Sequence, residues 1–144
     1  MILIDKWSKL KEYVYPIRHE VFVVEQFVPV ELELDEFDIE SWHALCLVKN
    51  LPVGTGRLVK EFRGHECWGR IGRMAVLNAY RGQHFGLSIL DALIDKARDL
   101  EMSHLYLHAQ VSAISFYEKR GFVIHGDMFD EAGISHQEME LNLY

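Results

Sequence analysis

The sequence predicts an α/β fold: one domain, residues 1–144, with a mixed central sheet flanked by helices in the order βααβββαβαββ. Three observations lead there. Stretches of helical and of strand period alternate along the chain instead of segregating. No repeat, low-complexity tract or Pro/Gly/Ser-rich linker divides the 144 residues, a length that suits one domain. Hydrophobic residues make up 49%, enough for a core, yet no apolar stretch reaches the ~20 residues that span a bilayer.

Residues 2–7 are expected as a short strand. Residues 8–25 carry Leu10, Val14, Ile17, Val21 and Val24 three or four apart, a helical stripe. Pro16 lacks an N–H and should bend or split that run. The stretch 28–41 contains Pro29 and has a mixed pattern, so it reads as a loop. Residues 43–49 are an apolar strand, Asn50-Leu51-Pro52 a turn, and 53–61 a second strand. Arg63-Gly64-His65-Glu66 turns again into 67–77, completing a three-stranded meander. Residues 82–101 place Phe85, Ile89, Leu90, Leu93, Ile94 and Ala97 on one stripe, the strongest helix of the chain. A strand at 104–110 and a short helix at 112–120 follow, with Gly121 as its stop. Strands at 122–125 and 137–143 close the fold.

Charge is unevenly distributed. The chain has 15 Lys+Arg against 22 Asp+Glu, a net charge of −7. Glu25, Glu31, Glu33, Asp35, Glu36, Asp38 and Glu40 lie within one stretch, 25–40, that has no Lys or Arg. Outside it acids and bases balance, so the net charge belongs to that segment. Such a chain lacks the basic face a nucleic-acid binder needs, and no nucleic-acid or membrane partner is expected. Cys46 and Cys67 have no C-x-x-C spacing and read as buried apolar residues of a reducing compartment. The amino terminus lacks a signal-peptide layout, which makes the expected location cytoplasmic. The eight histidines show no metal-binding spacing, and no metal is expected.

The segment Arg81-Gly82-Gln83-His84-Phe85-Gly86 joins a strand to the start of the strongest helix. A helix start offers free N–H groups and the positive end of the dipole, and so suits an anion. It is neither a P-loop nor a dinucleotide fingerprint, and by itself it reads as a glycine-rich helix entry. Its surroundings say more. The run from Arg73 through Ala75-Val76 and Tyr80-Arg81-Gly82 to Gly86 resembles the acetyl-CoA-binding motif of the GNAT N-acetyltransferase family. Gln110-Val111-Ser112-Ala113-Ile114-Ser115-Phe116-Tyr117-Glu118-Lys119-Arg120-Gly121-Phe122 resembles that family's second landmark. Ile17 to Gln26, Asp35-Glu36-Phe37-Asp38, His43 and the stretch from Phe129 to Met139 are similar to its ElaA-type subgroup. Two positions depart from the pattern: His84 stands where the phosphate turn has its first glycine, and Gln110 where an Asn is usual.

The resemblance implies a GNAT-like fold and acetyl transfer from acetyl-CoA to a primary amine, on a small molecule or a peptide. It implies that the backbone of Met74, Ala75 and Val76 meets the pantetheine arm, and that Arg81, Gly82, Gln83, His84, Phe85, Gly86 and Leu87 hold the pyrophosphate. Gln110, Ala113 and Phe116 complete the cofactor site, and Tyr117 is the implied general acid; without the motif, Tyr117 reads as a core aromatic. A base is needed as well, with Glu25, Glu31, Glu36, His43 and His108 as candidates; Glu25, Glu31 and His43 are also expected at the acceptor. The six bases Arg57, Lys60, Arg63, Arg70, Arg73 and Arg81 stand against Glu61 and Glu66 over 57–81, which marks the cofactor side. The acidic segment is expected on the acceptor side, attracting a cationic amine, or else as a solvated loop. Homodimerisation is common in the family. Two other readings remain open: residues 18–22 and 33–38 also resemble acyl-homoserine-lactone synthases, and a non-catalytic CoA-binding module would carry the same motifs.

Overall fold

The structure is a computed structural model describing residues 1–144. The first strand, β1 (Ile2–Lys6), runs directly into α1 (Trp7–Arg18). The helix continues through Pro16 and then widens into a π-helical stretch, His19–Glu25, so the proline neither splits nor ends the run. The acidic segment is not wholly loop: Val30–Glu33 forms a single helical turn, α2.

Three antiparallel strands follow as expected: β2 (Trp42–Val48), β3 (Leu51–Arg63) and β4 (Glu66–Val76). The first turn sits earlier than expected. Lys49 and Asn50 take φ of 50° and 65°, the pair of left-handed residues of a two-residue hairpin, and Leu51 and Pro52 already belong to β3. After a 3₁₀ turn at Asn78–Tyr80, α3 (Phe85–Asp99) begins three residues later than expected. Its buried stripe of Ile89, Leu90, Leu93, Ile94 and Ala97 crosses over the sheet and returns the chain as β5 (His104–Gln110), parallel to β4.

A 3₁₀ turn, Val111–Ala113, leads into the short α4 (Ile114–Glu118). Gly121 takes φ of 89° just beyond it, the left-handed stop expected there. β6 shrinks to Val123–Ile124. The last region holds one strand more than expected: β7 (Phe129–Glu131) and β8 (Ile134–Asn142) form a hairpin. Its turn, Ala132-Gly133, again has two positive φ values, but alanine in the first place hides the usual turn signature.

The sheet order is β1-β2-β3-β4-β5-β8-β6, with β7 on β8. Helix α3 covers one face and buries the larger cluster with Ala44, Leu58, Ile71, Leu105, Leu107 and Met139. Helix α1 covers the other face with Leu10, Val14 and Ile17 against Leu45 and Ala75. It covers only the β1–β4 side, and on that face of β5 and β8 polar side chains alternate. Cys46 is buried and Cys67 half-buried, and both are free. No helix is long and apolar enough to cross a membrane.

Candidate functional site

Strands β4 and β5 pair only from Trp68 opposite His104 to Ile71 opposite Leu107. Beyond that point they diverge, and the β5-facing edge of 72–76 has no strand partner. The divergence follows from a bulge: Arg73 and Met74 both stand opposite Gly56, between the pairs Gly72–Arg57 and Ala75–Thr55. Arg73 sits at φ 51°, a left-handed conformation that costs a non-glycine residue about 1–2 kcal/mol. Its guanidinium is correspondingly tied down, with Nε donating to Glu33 Oε2 at 2.9 Å and Nη2 to Asp35 Oδ2 at 3.1 Å.

Those two carboxylates belong to a larger cluster. The fully buried Arg18 donates to Glu33 Oε1 at 2.8 Å and to Asp38 Oδ1 at 2.7 Å. Arg57 donates to Asp35 Oδ1 at 2.7 Å and Asp38 Oδ1 at 3.0 Å. Three cations thus neutralise three anions between α1, the acidic segment and the bulge. Burial alone would push the Asp38 carboxyl up, but the hydrogen bond and charge of Arg18, with Arg57 behind them, hold it below the ordinary carboxylate range. This corrects two expectations. Glu33, Asp35 and Asp38 are counter-ions to three arginines and not a free field of negative charge, although Glu33 also lines a cavity. Arg57 and Arg73 serve that cluster and not the cofactor side.

Two cavities flank the divergence. The larger, about 380 Å³, is lined from the α1 side by Phe22, Gln26, Val28, Leu32 and Glu33 and from β4 by Arg70, Ile71, Gly72, Arg73 and Met74. His108, Gln110, Ala113, Tyr117, Glu131, Ile134 and His136 close it. The smaller, about 280 Å³, lies at the start of α3 and is lined by Val76, Tyr80, Arg81, Gly82, His84, Phe85, Gly86, Leu87, Phe116 and Lys119. Tyr117 and Phe116, consecutive on α4, therefore face different cavities.

The smaller cavity fits an anionic group. Ser88 makes the first bond of α3, to the His84 carbonyl, so the N–H groups of Phe85, Gly86 and Leu87 have no partner within the helix. Arg81 and Lys119 add positive charge. His84 occupies the left-handed N-cap position at φ 66°, where a glycine would be unstrained and histidine is among the better tolerated residues. Gly86 has a packing role too: a Cβ there would come within 3.2 Å of the Phe116 ring. Arg81 is braced by bonds to the Val76 carbonyl at 2.8 Å and to Glu25 at 3.0 Å.

The expected residues are only partly brought together. Met74, Gln110, Ala113 and Tyr117 line the larger cavity; Val76, Arg81, Gly82, His84, Phe85, Gly86, Leu87 and Phe116 line the smaller. The Ala75 side chain packs against α1, and Gln83 lines neither cavity. Glu25 is engaged by Arg81, and Glu31 is exposed on α2. His43 is fully buried, with Nε2 2.8 Å from the Asp38 carbonyl and its ring against Trp7, and it lines neither cavity. Burial holds its imidazole below the ordinary histidine value although the Asp38 bond pulls the other way.

Of the candidate bases only His108 reaches the larger cavity. Its Nδ1 lies 3.1 Å from Arg70 Nη2 and 3.4 Å from Glu131 Oε1, and its Nε2 3.5 Å from Glu138 Oε1. Glu131 also reaches His136 at 3.6 Å. Sequence reasoning did not single out Arg70, Glu131 or His136 for this cavity. The available signal was the period-two series His136, Glu138, Glu140 facing Gln110, His108 and Tyr106 across the β5–β8 ladder. Burial alone pushes the Tyr117 phenol well above the usual tyrosine value. Outside the cavity, His125 lies between Glu138 and Glu140 with a different ring nitrogen facing each, at 3.8 and 3.9 Å.

The acetyltransferase (GNAT) domain model matches residues 11–143. The uncharacterized N-acetyltransferase YjcF of Bacillus subtilis is 39% identical over 133 residues, covering 92% of this chain and 91% of its own. An acyl-CoA N-acyltransferase of Pseudomonas aeruginosa superposes with a TM-score of 0.86 at 26% identity, over 97% of each chain. Escherichia coli ElaA superposes with a TM-score of 0.84 at 25% identity, over 97% of this chain and 98% of its own.

Proposed function

The chain belongs to the GNAT acetyltransferase family, and from that premise we propose that it transfers an acetyl group from acetyl-CoA to a primary amine by direct attack in a ternary complex. The observation that carries this reading is the placement of the consecutive Phe116 and Tyr117, which line respectively an anion-suited cavity and a cavity lined by His108, beside the β4–β5 divergence. Acetyl-CoA would supply the activated acyl group. The N–H groups of Phe85, Gly86 and Leu87, with Gly82, Gln83, His84 and Arg81, would hold its pyrophosphate. The free backbone edge of Met74, Ala75 and Val76 would pair with the pantetheine arm beside Gln110, Ala113 and Phe116, and its N–H groups would polarise the acyl carbonyl.

The remaining steps belong to side chains of this chain. An amine attacks only when uncharged, and an imidazole is the side chain suited to accept its proton near neutrality, a role for His108. Arg70 donates to Nδ1 and Glu138 faces Nε2, so Nδ1 takes the proton when the arriving amine displaces Arg70 from it. As the new C–N bond forms and the C–S bond breaks, the Tyr117 hydroxyl donates its proton to the departing sulfur. Burial raises the phenol's pKa, and the same burial raises the basicity of a sulfur anion formed beside it. Direct attack needs no covalent enzyme intermediate, and buried Cys46 is left without a role.

Removing the Tyr117 hydroxyl tests this. Tyr117→Phe should lower acetyl-CoA-dependent thiol release, measured across a panel of amines, by about 10²-fold or more while calorimetry still shows CoA binding. Unchanged turnover would remove Tyr117 from the mechanism.

A further inference from the structure

Glu131 ends β7 and enters the larger cavity from the Ala132-Gly133 hairpin. Its carboxylate lies between two imidazoles: Oε1 is 3.4 Å from His108 Nδ1, and Oε2 is 3.6 Å from His136 Nε2. Phe129, two residues earlier on the same face of β7, packs against both rings, edge-on to His108 at 4.9 Å and stacked on His136 at 6.0 Å between centroids. No step of the transfer proposed above uses this carboxylate.

The hydrogens on the two rings follow from their partners. A carbonyl only accepts, so His136 Nδ1, 2.7 Å from the Ile134 carbonyl, carries that ring's hydrogen, and Nε2 of the neutral ring is bare. A guanidinium only donates, so His108 Nδ1, 3.1 Å from Arg70 Nη2, is bare in the neutral ring. The His108 hydrogen is then on Nε2, toward Glu138 Oε1 at 3.5 Å. Glu131 thus turns two acceptor oxygens toward two acceptor nitrogens, and it gains a hydrogen bond only when a ring is protonated. Once Nδ1 of His108 carries a proton, it can no longer accept from Arg70 and donates to Glu131 Oε1. An interaction made by the imidazolium and not by the imidazole favours proton uptake. The other charged and titratable groups around His108 are Arg70 on β4, Glu138 and His136 on β8, and Tyr106 on its own strand. Glu33 and Arg73 line the same cavity and pair with each other at 2.9 Å. Glu138 faces a hydrogen present in both forms of the ring, so Glu131 is the anion whose bond depends on protonation.

We infer that Glu131 is a positioning residue of the transfer, holding His108 as an imidazolium after the amine's proton has moved to Nδ1. The ammonium N–H bond breaks and leaves its electron pair on the amine nitrogen. The Nδ1 lone pair takes the proton, and the positive charge then sits beside Glu131. After the product departs the proton passes to water, which reaches the Glu131 side chain, 45% exposed. The inference rests on the acetyltransferase reading above and adds to it the residue that sets the strength of its base.

Histidine ring C–H resonances, titrated by NMR in the full chain, test it first, with the His108 signal identified by its loss in His108→Gln. Glu131→Gln keeps the shape of a half-exposed side chain and removes its charge. It should lower the His108 titration midpoint by about half a pH unit or more, the size suited to a carboxylate at 3.4 Å that water partly screens. His136 should move the same way, and His125, whose neighbours are Glu138 and Glu140, should not. Thiol release with the best amine of a panel is then followed against pH. The acid limb of kcat/KM should move down by the same interval and the plateau fall roughly threefold, with the KM for acetyl-CoA unchanged. An unmoved His108 midpoint overturns the inference. So does a Glu131→Gln variant that only raises the KM of the amine, because Glu131 would then bind the ammonium and leave the base alone. A shifted midpoint in a protein that releases no thiol with any amine would count against the acetyltransferase reading, and with it against any part for Glu131 in transfer.

Discussion

Glu33→Gln removes one charge from the buried cluster and keeps its shape. In the native protein Glu33 accepts from Arg18 Nε at 2.8 Å, Arg18 Nη2 at 3.1 Å and Arg73 Nε at 2.9 Å. After the substitution Arg18, with no exposed surface, is left with Asp38 as its only anion, and Arg73 with Asp35. Breaking a buried pair from one side costs about 3–5 kcal/mol. The remaining anions and the glutamine oxygen retain part of the interaction, which favours the lower figure, about 3 kcal/mol. For a chain of this length each kcal/mol moves Tm by roughly 4 °C, so the transition should fall by about 10–12 °C. Thermal and urea unfolding followed by circular dichroism measure it, with Glu31→Gln, an exposed acid of the same segment, as a control expected within about 0.5 kcal/mol of wild type. The loss should persist in high salt, because a water-excluded cluster is poorly screened. Since Glu33 also restrains the strained Arg73 bulge, acetyl transfer should weaken in the surviving folded protein. A fall in Tm of less than about 3 °C, or one that added salt abolishes, would show that the cluster behaves as an exposed ion pair and would refute the reasoning.

Stability should fall on acidification in two stages. His43 is buried with a lowered pKa, so below its ordinary value of about 6.5 the unfolded chain binds a proton that the folded one refuses, and the urea midpoint should drop between pH 7 and pH 5. His43→Gln should flatten that slope, and an unchanged slope would assign it elsewhere. The lowered Asp38 pKa stabilises the fold fully above the ordinary carboxylate range and is lost as pH falls through the folded value, so Asp38→Asn should be less stable near neutrality and lose little more in acid. His84→Gly relieves a left-handed non-glycine residue and should raise stability by up to about 1 kcal/mol; a loss would mean that the imidazole is held by contacts the backbone angle does not reveal. His108→Gln should lower kcat/KM at neutral pH and recover toward wild type as rising pH deprotonates the amine in solution, whereas a pH-independent deficit would make His108 a spacer and not a base.

Much of the smaller, anion-suited cavity was legible in local sequence. A helix start is a local object, and Tyr80-Arg81-Gly82 with the strongest apolar stripe of the chain is enough to locate one. The Phe116-Tyr117 helix and its Gly121 stop are equally local. Where local signals were weak the boundaries moved: the Ala132-Gly133 hairpin has no Asn-Gly signature, and the strand it creates carries Glu131 into the cavity.

The larger cavity was different. His43 and His108 looked alike as candidates. Strand register places one under Trp7 with no exposed surface and the other on the half of the sheet that α1 leaves uncovered. Seven acids in sixteen residues looked like a field for a cationic substrate. Arg18, Arg57 and Arg73, up to 40 residues distant in sequence, turn three of those acids into internal counter-ions. The sequence by itself determined the α/β class, the phosphate-suited helix start and the α4 tyrosine, because each depends on short-range periodicity, backbone dihedrals or consecutive residues. Only the tertiary structure decided which charges are spent on the fold and which histidine lines the larger cavity. Both depend on partners that chain closure brings together, and no spacing along the sequence records that proximity.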